Sequence, residues 1–134
     1  MTYQEKALEL FSNGYSCSQS TMGALCEQFG MSLEDGLKIA SPYCGGIGGT
    51  KDICGAVNGA ILLIALKCGY SDAYNDEAKK AQNEEVKKFL EYFKNENGSL
   101  HCRDIFTSDE AKKENCPKAV ASAVKYIEEN FLNK

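Results

Sequence analysis

Apolar residues recur at helical spacing along most of the chain. Ala7, Leu8 and Phe11 share one face of a segment from Tyr3 to Phe11, which Asn13-Gly14 closes. Ser16 followed three residues later by Gln19 forms a capping box, so a second helix begins at Cys17, with Gly30 as its stop. Ser32 caps a short helix from about Leu33 to Ala40. Ser41-Pro42 ends it, because proline disfavours helix in the residue before it. From about Asp52 to Cys68 the chain is apolar on most sides, which predicts a central buried helix. A charged helix follows, roughly Ala73 to Asn97, with Ala78, Val86, Phe89, Leu90 and Phe93 as its inward stripe and Gly98 as its stop. Its run "DEAKKAQNEEVKK" reads as a solvent face. One short helix is expected between Leu100 and Asn115. The last helix is expected to start at Cys116, with Pro117 in a first turn that does not need its missing N–H. No strand pattern or repeat competes. The pattern predicts an all-α, single-domain array, residues 1–134, of five to seven helices around a central buried helix.

Composition narrows the function classes. A chain of 134 residues buries enough surface to fold without disulfides. Its net charge is −4 and its basic residues are scattered, which argues against nucleic acid as a partner. The longest apolar run, Ile53 to Leu66, is too short and too glycine-rich for a membrane span. The amphipathic, acidic N-terminus lacks the pattern of a signal peptide, so a cytoplasmic location is expected. One histidine, His101, gives little support to hydrolytic triads, and an exposed polar role suits it best.

Seven cysteines change the picture. In a cytoplasmic protein, metal or redox chemistry explains many cysteines better than a disulfide framework does. Cys17, Cys54, Cys102 and Cys116 each fall near an expected helix N-terminus, where free N–H groups and the helix dipole favour a thiolate. Cys26 and Cys68 read as packing residues. Cys44 opens a glycine loop and is an auxiliary candidate.

That loop is part of "CGGIGGTKDICGAVNG", Cys44 to Gly59, with six glycines in sixteen residues. It fails as a dinucleotide fingerprint, having no preceding strand and the wrong glycine spacing. It fails as a P-loop because Thr50-Lys51-Asp52 stands where Gly-Lys-Ser/Thr is needed. Gly55 and Gly59, four apart on one helix face, leave room for a second helix or a cofactor against the backbone.

Together "FSNGYSCSQS", "CGGIGGTKDICGAVNGA", a cysteine soon after Gly98 and another before the last apolar stripe resemble the C_GCAxxG_C_C family over nearly the whole chain. The matching cysteines are Cys17, Cys54, Cys102 and Cys116, and Cys54-Gly55-Ala56-x-x-Gly59 matches the central motif. The resemblance implies a redox-active protein that works with an oxidoreductase or transporter system. It also implies a prosthetic group such as an iron–sulfur cluster. No C-x-x-C-H site is present, so covalent c-type haem is not implied.

Two redox forms are expected. In one, the four thiolates hold a cluster, most simply [2Fe–2S], with Gly55 and Gly59 beside it. In the other, two cysteines form a reversible disulfide, with Cys17 and Cys54 the expected pair. The alternative is a non-catalytic helical module with a structural zinc site of four cysteines, or with inert buried cysteines. Intervals of 36, 47 and 13 residues are unlike the close pairs of structural zinc sites. The glycine face also leaves room for a homodimer.

Overall fold

A computed structural model describes residues 1–132. Among these residues the chain forms seven α-helices and no sheet: α1 (Tyr3–Ser12), α2 (Cys17–Leu25), α3 (Leu33–Ala40), α4 (Gly55–Cys68), α5 (Asp76–Asn97), α6 (Cys102–Ile105) and α7 (Asp109–Ile127). The fold is all-α.

Local chemistry sets most of the helix ends. Thr2 and Glu5 form a reciprocal capping box on α1, as Ser16 and Gln19 do on α2. The Ser32 side chain accepts from the Asp35 amide to start α3, and the Asn75 side chain accepts from the Ala78 amide to start α5. Gly30 and Gly98 end their segments in the left-handed conformation that glycine adopts without strain.

Helix α4 occupies the centre, packed on α2, α5 and α7. Leu63 and Ile64 of α4 are buried with Phe89 and Phe93 of α5, and burial of each stabilises the fold by about 2 kcal/mol. Helix α7 adds Val120, Val124 and Ile127 to the same core. The approach of α2 to α4 depends on the α4 glycines. A β-carbon at Gly59 would fall 2.8 Å from the Ser18 carbonyl oxygen and 2.9 Å from the Thr21 Cβ. The face left clear by Gly55 and Gly59 is filled by α2.

Three element starts differ from the sequence expectation. Helix α5 begins at Asp76 rather than about Ala73, because the Asn75 side chain caps it. Helix α4 begins at Gly55 rather than near Asp52, because the backbone of residues 51–54 is hydrogen-bonded to residues 100–103 around a single antiparallel bridge, Ile53 to His101. Helix α7 begins at Asp109, not at Cys116. Ser108 caps it by accepting from the Ala111 amide, and Asp109 and Glu110 suit the positive end of the dipole. Pro117 therefore lies inside α7, where its missing N–H leaves the Lys113 carbonyl without its helical donor. No helix among the described residues is long and apolar enough to cross a membrane.

Candidate functional site

Four separate devices bring the motif cysteines together. The Ser16 capping box fixes the start of α2, and Cys17 is its first helical residue. The Ser18 hydroxyl donates to the Ala40 carbonyl at 2.8 Å, and the Gln19 side-chain amide donates to the Leu37 carbonyl at 3.1 Å. These bonds tie the Cys17 turn to α3.

The glycine loop is the second device. Gly45, Gly46, Ile47, Gly48 and Gly49 all have positive φ, between 58° and 77°. Such a left-handed run costs a side-chain-bearing residue about 1–2 kcal/mol per position, so glycine fills four of its five places. The loop closes on itself: the amides of Lys51 and Asp52 donate to the carbonyls of Gly45 and Gly46 at 2.9 and 2.8 Å. The turn brings Gly46 against Cys102, where a β-carbon at Gly46 would fall 2.6 Å from the Cys102 Cβ.

The third device is a short antiparallel pairing, with Ile53 opposite His101. The Cys54 amide donates to the Leu100 carbonyl at 2.8 Å, and the Cys102 amide to the Asp52 carbonyl at 2.6 Å. Cys54 thus becomes the N-cap residue of α4 just as Cys102 becomes the first residue of α6. The fourth device is α7 itself, whose inward face presents Cys116.

Cys17, Cys54, Cys102 and Cys116 all line one cavity of about 530 Å³, within the size range of small-molecule sites. Three of them are nearly closed to solvent: Cys54 is 3% exposed, Cys102 6% and Cys116 4%. Cys17 is half-buried, as is Cys44, which lines the same cavity. Gly55 lies on the cavity wall, packed between Cys17 and Tyr43, whereas Gly59 faces Ser18 and Thr21 of α2.

The expectation of four helix-N-terminal cysteines needs one correction. Cys116 is the eighth residue of α7, because Ser108 rather than the residues around Pro117 starts that helix. The electrostatics differ as well. Burial pushes the Cys54 thiol up to about 12, although the Ala56 and Val57 amides favour its thiolate. The Cys17 thiol is raised well above its ordinary value, first by its hydrogen-bonding interaction with Cys116 and then by burial. Burial, and then the charge on Cys116, raise Cys102, with Lys51 and Lys112 opposing them. Burial at Cys54 and Cys102, and the interaction with Cys116 together with burial at Cys17, thus outweigh the helix dipole.

Cys116 is the exception among the four. Its thiol is lowered by its interaction with the Cys17 thiol and by the nearby Lys112 ammonium, against the effect of burial. Lys112 stands one helical turn before Cys116 on α7, four residues earlier, and also lines the cavity. Lys112 escaped the sequence reading because that reading began the helix at Cys116. The signal was present as Ser108-Asp109-Glu110, an N-cap followed by acidic residues.

The remaining candidates lie away from the cavity. Cys26 is buried, with its thiol donating to the Ser32 carbonyl at 3.6 Å, and Cys68 ends α4. His101 is 40% exposed, with Nε2 4.0 Å from the Asp52 carboxylate that also faces Arg103. Among the described residues, no group of three or more His, Cys, Asp or Glu side chains is gathered to hold a single metal ion.

The chain matches a known family model over residues 15–130, described as "Putative redox-active protein (C_GCAxxG_C_C)". The chain belongs to the C_GCAxxG_C_C family. This C_GCAxxG_C_C protein is also similar to an uncharacterized protein of Archaeoglobus fulgidus, at 29% identity over 116 residues. The match covers 76% of this chain and 72% of the relative. No solved structure gives a significant match to this C_GCAxxG_C_C chain. Cys17, Cys54, Cys102 and Cys116 all lie within the matched span, and Cys44 is a further thiol on the same cavity.

Proposed function

We propose that the cavity is a thiol redox centre in which Cys116 and Cys17 cycle between dithiol and disulfide. The observation that carries this reading is that Cys17 of α2 and Cys116 of α7 line one cavity, where their interaction raises the Cys17 thiol and lowers Cys116, the one motif thiol that is lowered. A thiolate is the nucleophile of disulfide exchange.

The chemistry follows from that asymmetry. The Cys116 thiolate attacks one sulfur of an external disulfide, forming a mixed disulfide and releasing one thiolate. Cys17 is raised above all by its interaction with Cys116, and that cause weakens once the Cys116 sulfur carries no charge. Cys17 then gives up its proton and attacks the Cys116 sulfur, which expels the second thiol. In balance, the protein dithiol becomes a disulfide and the external disulfide becomes two thiols. Reversal makes the protein an oxidant. Cys54 and Cys102 stay protonated at neutral pH, held there by burial.

An iron–sulfur cluster is the second reading, favoured by four thiols from four elements lining one cavity. The donor set suits such a cluster in type and number. Cys17, Cys54, Cys102 and Cys116 would hold it, and the cluster would supply one-electron transfer.

Anaerobic purification followed by iron and sulfide assays and alkylation mapping separates the two. The dithiol reading expects metal-free protein whose Cys17 and Cys116 lose alkylation together on oxidation. Stoichiometric iron and sulfide with visible absorption would replace it with the cluster.

A further inference from the structure

The cavity walls have an unusual charge. The chain carries 19 acidic residues against 15 basic ones, yet among the described residues no carboxylate lines the cavity. Lys112 is the one charged side chain on its walls. Its ammonium lies 5.0 Å from the centroid of the Phe106 ring, itself part of the wall. The Lys51 ammonium lies 4.5 Å from the same centroid and donates to the Phe106 carbonyl at 3.3 Å. Among the described residues neither lysine makes an ion pair.

Apolar walls come from Phe11, Tyr15, Ile105 and Phe106, and the thiols stand along the same space. A volume of about 530 Å³ admits a small molecule but not a folded partner. The Lys112 ammonium on a wall that carries no carboxylate, with Lys51 against the same Phe106 ring, favours an anion there in an otherwise acidic molecule.

We propose that the cavity selects small anionic disulfides, with the negative group met by Lys112 and a sulfur presented to Cys116. This rests on the dithiol reading and adds its substrate class. The ligand is recognised by a carboxylate or similar anion a few atoms from a disulfide bond, and the aromatic wall packs the chain between them. The two electrons pass from the Cys17–Cys116 dithiol to that disulfide, which leaves as two thiols.

The test uses three disulfides of similar size: dithiodipropionate (anionic), hydroxyethyl disulfide (uncharged) and cystamine (cationic). Rates of Cys17–Cys116 disulfide formation are measured for each and divided by the rate of the same reagent with free dithiothreitol. The anionic reagent is expected to exceed the cationic one by about tenfold, and added salt to shrink the gap. Lys112→Gln should cut the ratio several-fold, and Lys112→Arg should retain it. Because the ratio cancels any change in Cys116 nucleophilicity, a merely structural or thiol-tuning role for Lys112 would not move it. Ratios near one for all reagents, or a ratio untouched by Lys112→Gln, would overturn the substrate class while leaving the dithiol intact. Failure of all three reagents to form the Cys17–Cys116 disulfide would overturn both.

Discussion

Gly55 of α4 and Cys17 of α2 meet without room for a side chain between them. A β-carbon at Gly55 would fall 3.2 Å from the Cys17 Cβ and 2.9 Å from the Ser18 amide nitrogen. The motif glycine therefore sets where the Cys17 sulfur stands relative to Cys116.

Gly55→Ala should push the first turn of α2 outward and separate the Cys17–Cys116 pair. Gly59→Ala is the control, since it strikes the same helix one turn further on, against the Ser18 carbonyl and Thr21. Both should destabilise the fold by about 1–3 kcal/mol, as overpacking does. Only Gly55→Ala should raise the apparent pKa of Cys116 alkylation disproportionately to its stability loss. Denaturant melts and pH-resolved alkylation measure the two effects.

Much of this arrangement was legible in the sequence. The Ser16–Gln19 capping box places Cys17 correctly, and Ser32, Pro42, Gly30 and Gly98 mark real helix ends, because each acts through its immediate neighbours. The start of α4 was not legible, since Cys54 is set by hydrogen bonding to Leu100, far away in the chain. The place of Cys116 was misread because Pro117 is a strong local signal for a helix start, and here the capped run from Ser108 and the buried face of α7 outweigh it. The thiol pairing was out of reach for a similar reason. Burial and sulfur–sulfur interaction decide the titration of Cys17 and Cys54, and neither is written in local spacing.

Pro117 predicts a trade between stability and chemistry. A proline inside a helix costs up to about 3 kcal/mol relative to alanine. Pro117→Ala should raise the unfolding free energy by about 1–3 kcal/mol, because the Lys113 carbonyl regains its donor. It should also slow reaction of Cys116, the adjacent residue, as the local helix geometry changes. A melt and a timed alkylation on the same sample test both halves.

The buried thiols give the protein an alkaline weakness. The Cys54 thiol is pushed up to about 12 in the fold, against about 8.5 in an unfolded chain. Its protonated form is thus favoured by folding. That stability is fully present below about pH 8.5 and is lost as pH rises toward 12, because the unfolded state releases its proton first. Cys54→Ser removes this titration. The variant should show a shallower fall in melting temperature between about pH 9 and 11 than the parent, even though its starting stability is lower. Parallel curves would assign the alkaline loss to other groups.

The central claim is that Cys17 and Cys116 form the working pair, and disulfide mapping across a redox titration tests it most directly. The protein is equilibrated at a series of dithiothreitol redox ratios, quenched in acid, alkylated and digested. The account predicts that a peptide linking Cys17 to Cys116 appears with a single midpoint, while Cys54 and Cys102 remain alkylated as free thiols. A link from Cys17 to Cys54, or no link at any potential, would contradict it.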